Sequence, residues 1–177
     1  MDETCQEIWG VNMDQDGLKT SQGNVNIELL HELMRCEFIR QKPPKSTGRD
    51  EFGLEMVKQI IQENPHIPAE DMLRTFCVFT AKSIAENMNN FLNFNNSDIQ
   101  LIISGGGVHH PVLMEEIRKY TEISDLKTAD VIEIDPDLKE TLLMAVIGVA
   151  RIQGMKANMP SVTGAEMMVI LGDLVQN

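Results

Sequence analysis

Basic residues are scarce in this chain: 15 Lys and Arg stand against 27 Asp and Glu, a net charge of −12. That shortage excludes a protein that wraps nucleic acid, because duplex binding draws its affinity from phosphates neutralised on a basic face. The acidic excess reads as a solubilising surface. It still leaves room for a bound nucleotide, since helix N-termini and backbone N–H groups hold phosphate locally. Long apolar runs are missing too; the longest, Leu142 to Ala150, is nine residues counting its one glycine, against the ~20 needed to span a bilayer. Asp2, Glu3 and Glu7 at the head of the chain do not suit a signal peptide. Cysteine is sparse: Cys5, Cys36 and Cys77 are widely spaced with no C-x-x-C pair. This predicts reduced thiols in a cytoplasmic protein, with no disulfide and no metal site.

What is present is a strand, three glycines and a helix. Ile99 to Ile103 reads as a buried strand, Ser104-Gly105-Gly106-Gly107 as a tight turn, and Pro111 onward as an amphipathic helix burying Val112, Leu113, Ile117 and Tyr120. Three glycines let the backbone approach a flat ligand with no Cβ between, and open α/β sheets bind nucleotides beyond the carboxyl ends of their strands. Around this turn the periodicity predicts helices over Asp2 to Trp9, Ile27 to Phe38, Phe52 to Ile61 and Pro68 to Leu92, the last being the central helix. Between the first two lies a polar stretch, Gly10 to Asn26. Ser46 or Thr47 is the expected cap of the third helix, and Asn95 to Asp98 reads as a turn. A second strand is expected at about Val131 to Ile134. Asp135 and Pro136 then start a helix that packs through Leu138, Leu142, Ala145, Val146, Val149 and Ile152, and a short strand is expected at Met168 to Leu171.

Two or three strands beside five or six helices fall short of the four to six strands of an ordinary open sheet. The expectation is therefore the carboxyl-terminal part of a longer α/β protein, which would make Met1 an internal methionine. Three motifs fail on inspection. Asn12, Asp14, Asp16 and Gly17 imitate a calcium loop, but Gly23 stands where the bidentate Glu belongs. Lys45-Ser46-Thr47 imitates the end of a P-loop without its glycines or strand. Gly105-x-Gly107 has His110 at the third glycine of a dinucleotide fingerprint, which disfavours a Rossmann oxidoreductase.

Pro43-Pro44-Lys45-Ser46-Thr47-Gly48-Arg49-Asp50-x-Phe52, Ile103 through Pro111 and Pro160-Ser161-Val162-Thr163-Gly164-Ala165 together resemble the anhydro-N-acetylmuramic acid kinase family, in order and in interval. The likeness runs from Asp2 to about Gly172 and corresponds to the carboxyl-terminal half of that family's length. It implies the carboxyl-terminal lobe of an actin-like, ribonuclease H-like sugar kinase, helix-rich, with its sheet incomplete in this chain and its N-terminal lobe absent. The implied reaction uses ATP and Mg2+ to open a 1,6-anhydro ring with water while phosphorylating O6, in cell-wall sugar recycling. The implied partners are the anhydrosugar, the missing lobe and a second subunit of a homodimer.

Carried over residue by residue, the resemblance makes Gly105, Gly106 and Gly107 the adenosine-binding turn, with His110 beside it where the family usually has Asn. Lys45 and Arg49 face phosphate or the lactyl carboxylate of a muramic sugar, or else simply order their loop. Asp50 stands where the family more often has Glu. Glu140 matches an acidic position that would hydrogen-bond sugar hydroxyls, although a carboxylate in a first helical turn is also favoured by the macrodipole alone. Asp2 falls at the end of the region of an Asp-Thr-Gly-Pro-x-Asn motif, whose carboxylate is the expected general base and lies upstream. No catalytic residue is therefore assigned within this chain, and alone it is expected to be inactive. Two alternatives remain: a kinase for another 1,6-anhydrosugar such as levoglucosan, and a non-catalytic nucleotide-binding protein.

Overall fold

The computed structural model describes residues 1–92 and 99–175; the Asn95 to Asp98 turn expected from the sequence lies outside them. The organising element is helix α7, Ala69–Phe91. It is buried on two sides because its apolar residues exceed one stripe: Met72, Phe76, Val78 and Phe79 enter one core, and Cys77 and Ala81 enter another. Acidic Glu70 and Asp71 sit in its first turn, where the macrodipole favours them.

Before α7 come α1 (Asp2–Trp9), α2 (Leu18–Gln22), α3 (Ile27–Leu33), α4 (Glu37–Arg40), α5 (Arg49–Phe52) and α6 (Leu54–Glu63). The first core joins Leu29, Leu30 and Leu33 of α3, Ile39 of α4 and Ile60 of α6 to α7. The helix expected over Ile27 to Phe38 breaks into α3 and α4, which turns Ile39 inward to 1% exposure while Ile27 stays exposed. Within the polar stretch, α2 packs on α7. The loop after α2 is tied to α7 by Asn24 N–H to Asp71 Oδ1 (2.7 Å) and Asn26 N–H to Thr75 Oγ1 (2.9 Å). Gly23 makes that approach possible, since a Cβ there would lie 2.0 Å from the Glu70 carbonyl oxygen. Ser46 and Thr47 do not cap as expected: Gly48 precedes α5 with no side-chain cap, and Thr47 spends its hydroxyl on Glu51.

After α7 come β1 (Gln100–Ile103), α8 (Pro111–Thr121), β2 (Asp125–Thr128), α9 (Lys139–Ile152) and α10 (Pro160–Thr163). Strands β1 and β2 pair in parallel, Gln100 opposite Asp125 and Ile103 opposite Thr128, with α8 as the crossover packed on α7. The second core, Cys77 and Ala81 against Leu113, Ile117 and Leu126, holds this unit together. Arg74 Nη2 meets Glu116 Oε1 at 2.5 Å across the α7–α8 seam, and Glu116 is buried.

The second strand therefore falls at Asp125–Thr128 and not at Val131 to Ile134. Only Leu126 of β2 is buried, so its sequence carries one apolar signal where Val131 and Ile132, exposed on a 3-10 turn, carry two. Met168 to Leu171 is irregular and not a strand; the Asn158 side chain bonds backbone at Met167 and Val169 and holds that segment in place. Helix α9 forms where the sequence places it, but the expected packing is not made within this chain. Leu142, Val146, Val149 and Ile152 are all exposed, and Ala150 is its one buried residue. Among the described residues the sheet has two strands, and no helix is long and apolar enough to cross a membrane.

Candidate functional site

Gly105, at φ +91°, bends the chain out of β1 in a conformation that side-chain-bearing residues rarely adopt. Its N–H donates to the Pro136 carbonyl at 2.9 Å. A single 3-10 turn, Gly106–His109, follows and leads into α8. Among the described residues, the N–H groups of Gly106 and Gly107 meet no acceptor. A Cβ built on Gly105 or Gly106 would meet none of the described residues within 4 Å, so the outer face of this turn is bare backbone.

The turn opens onto a cleft of about 480 Å³, within the range of small-molecule sites. Its walls include Asp2 and Glu3 of α1, Asp14 and Asp16, Arg49 of α5, and Gly106, Gly107, His109 and His110. Three regions that the resemblance singles out, the glycine turn, Arg49 and Asp2, thus border one space. A second, apolar cavity of about 380 Å³ adjoins it, with Phe52 and Thr80 lining both.

His110 is buried at 8% exposure and has a structural part of its own. Its Nδ1 accepts the Leu113 N–H at 3.1 Å, capping α8. With Nδ1 an acceptor, the ring proton sits on Nε2, which lies 3.4 Å from both Asp14 Oδ2 and Thr20 Oγ1. Asp14 in turn accepts the N–H groups of Lys19 (2.8 Å) and Thr20 (2.9 Å). Burial raises its carboxyl, but the hydrogen bonds from Thr20 and from the two backbone N–H groups, with His110 alongside, prevail and hold it below its ordinary value. This carboxylate, noticed in the sequence only as part of a failed calcium loop, is a hub that nothing local in the sequence announces. His109, on the rim, pairs with Asp137 at 2.9 Å. With the Gly105–Pro136 bond, that pair fastens the start of α9 to the glycine turn.

The other candidates divide. Arg49 is 91% exposed in its side chain, reaches Glu3 Oε1 only at 3.9 Å, and leaves its guanidinium fork available to the cleft. Lys45 is not brought there. Its Nζ donates to the carbonyls of Phe38 (2.7 Å) and Ile39 (3.1 Å) and lies over the rings of Phe38 and Phe91. It neutralises the carbonyl end of α4 and orders the loop, the second of the two roles considered for it. Glu140 lies exposed in the first turn of α9, outside the cleft lining. Among the described residues no three His, Cys, Asp or Glu side chains cluster as metal ligands.

A family model described as anhydro-N-acetylmuramic acid kinase matches residues 1–177. The chain is 33% identical over 174 residues to the anhydro-N-acetylmuramic acid kinase of Clostridioides difficile (strain 630), a match covering 98% of this chain and 45% of that protein. To the protein of that name from Francisella tularensis subsp. novicida it is 32% identical, again over 98% of this chain and 45% of the relative. To that of Bacillus cereus (strain AH187) it is 33% identical over 98% and 46%. The chain spans about half the length of the curated relatives it matches.

Proposed function

The chain belongs to the anhydro-N-acetylmuramic acid kinase family, and from that premise we propose that it is the nucleotide-facing part of an ATP-dependent anhydrosugar kinase. The reaction of the complete enzyme is hydrolytic opening of the 1,6-anhydro ring with phosphorylation at O6, giving N-acetylmuramic acid 6-phosphate in cell-wall recycling. What supports the reading is the glycine turn, with bare backbone and unengaged N–H groups at Gly106 and Gly107 facing a cleft of small-molecule size. Only a backbone without Cβ atoms offers a flat ligand such close approach.

In this reading Gly105, Gly106 and Gly107 receive the nucleoside, and His110 acts from beneath by fixing the N-terminus of α8. Arg49 offers a planar fork for phosphate or for the lactyl carboxylate. Glu140 turns to sugar hydroxyls in the complete enzyme, its position set by the His109–Asp137 tether. Among the described residues no cluster of carboxylates makes a Mg2+ site; the ion comes with the triphosphate, whose charge it neutralises. The carboxylate that takes the proton from water belongs to the part of the family's length that this chain does not span. The chain alone binds nucleotide weakly and turns nothing over.

The test is a chimera in which this chain replaces the matching region of the Clostridioides difficile relative. Turnover of anhydro-N-acetylmuramic acid with ATP supports the proposal, and a preference for levoglucosan moves the substrate to another anhydrosugar. Nucleotide binding with no turnover of either sugar, while the parent enzyme is active, would make the chain a non-catalytic nucleotide-binding protein.

A further inference from the structure

Thr80, Ser83 and Asn87 stand at helical spacing on one face of α7, small or polar where the preceding turn carries Phe76 and Phe79. They leave room that a stripe of large apolar side chains would have filled. That room is the second cavity, about 380 Å³, walled otherwise by the rings of Phe38, Phe52 and Phe79. Phe52 stands edge-on to Phe38, with ring centroids 5.8 Å apart, and tilted to Phe79 at 6.2 Å. Aromatic walls with a few polar groups, at this volume, are the make-up of a small-molecule site. The cavity is separate from the cleft: the two linings share Phe52 and Thr80, and neither the glycine turn nor Arg49 borders it.

The polar groups define what fits. Thr80 Oγ1 donates to the Phe76 carbonyl and Ser83 Oγ to the Thr80 carbonyl, both at 2.9 Å. A carbonyl only accepts, so both hydroxyl protons are spent on the helix and the two oxygens are left with lone pairs to offer. Among the described residues no charged side chain lines the cavity, and an ion placed there would lose its hydration without gaining a partner. Lys45 lies over the Phe38 ring, but its Nζ is committed to two backbone carbonyls. We propose that this cavity binds a small, neutral aromatic molecule carrying an N–H or O–H donor, its ring among the three phenylalanines and its donor on the Thr80 and Ser83 oxygens. Edge-to-face and offset ring packing supplies the contact, and the hydroxyl oxygens select the donor.

Indole and benzothiophene test this, being rings of one shape of which only indole carries an N–H. Each is titrated into the chain and into the chimera, read by the methyl NMR signals of Ile39 and Ile84, which line the cavity. Both rings should shift those signals, and indole should bind about 5-fold more tightly, the worth of one hydrogen bond. A non-hydrolysable ATP analogue should not displace it. Thr80→Val with Ser83→Ala removes both hydroxyls and should bring indole to the affinity of benzothiophene. Ser83→Leu should abolish binding of both by filling the space, with circular dichroism unchanged. Equal affinity for the two rings in the unsubstituted chain overturns the proposal, as does a preference for indole that survives the double substitution. Binding lost in the chimera overturns it as well, since the rest of the protein then covers the cavity, and displacement by the ATP analogue makes the cavity part of the cleft. The kinase reading is not at stake: indole binding without ATP binding leaves this site standing, and ATP binding without indole binding removes it.

Discussion

His110 Nε2 stands 3.4 Å from Asp14 Oδ2, joining the loop before α2 to the N-terminus of α8 directly under the glycine turn. The contact makes the floor of the cleft from two distant parts of the chain. Replacing His110 by Ala removes the α8 cap and strips Asp14 of a partner, a loss of about 2 kcal/mol. His110→Asn, which supplies another good capping side chain, should recover about half of it. Urea unfolding of the three proteins checks the order, and equal loss in both variants would show that the ring does not act as a cap.

Acid weakens the same floor. Asp14 titrates in the native state below its ordinary value of 3.8. A carboxylate depressed in this way contributes stability that is complete above its unfolded pKa and is lost as pH falls through the native one. Asp14→Asn should therefore be less stable than the parent at neutral pH, with the gap closing below about pH 4. A gap of constant size down to strong acid would remove Asp14 from the account.

At Gly23 the expected effect is steric. A methyl group placed 2.0 Å from the Glu70 carbonyl oxygen forces the loop off α7. Gly23→Ala should cost about 1–3 kcal/mol, as overpacking against a fixed backbone does. An unchanged midpoint in thermal unfolding would mean that the loop gives way freely.

Gly106→Ala tests the cleft from the opposite direction. No described residue stands within 4 Å of the added Cβ, so folding should be untouched. The methyl group instead occupies the space of a flat ligand. Affinity of the chimera for a non-hydrolysable ATP analogue should fall about 10-fold, a loss of about 1.4 kcal/mol, with no change in melting temperature. Unaltered affinity would place the nucleotide elsewhere.

The thiols give a readout of packing. Burial pushes Cys5 up to about 11 and Cys77 up to about 12, so neither forms thiolate near neutrality. Half-buried Cys36 should be the one cysteine alkylated at pH 8 in the native chain, with the others reacting only on unfolding. Rapid labelling of Cys77 would show that the α7–α8 seam opens readily.

Much of the architecture is written in local pattern. Helix α1 matches its expected span, and α7 and α8 form where 3.6-residue periodicity and the prolines at 68 and 111 place them, because these signals depend only on near neighbours along the chain. The glycine turn was legible for the same reason: Gly105 takes a backbone angle that suits its residue type. Strand β2 was not, since Asp125–Thr128 is a strand through pairing with β1 and buries one side chain. Nor could periodicity tell that Lys45 turns back onto the α4 carbonyls, or that Asp14 and His110 meet, for both depend on how separate helices dock. The apolar stripe of α9 was expected to pack, yet Leu142, Val146, Val149 and Ile152 stay exposed, because periodicity marks a stripe without saying what covers it. Residue order settles α1, α7, α8 and the turn because their energies are local. Cleft, caps and uncovered face came only from packing, where contacts between distant segments decide the balance.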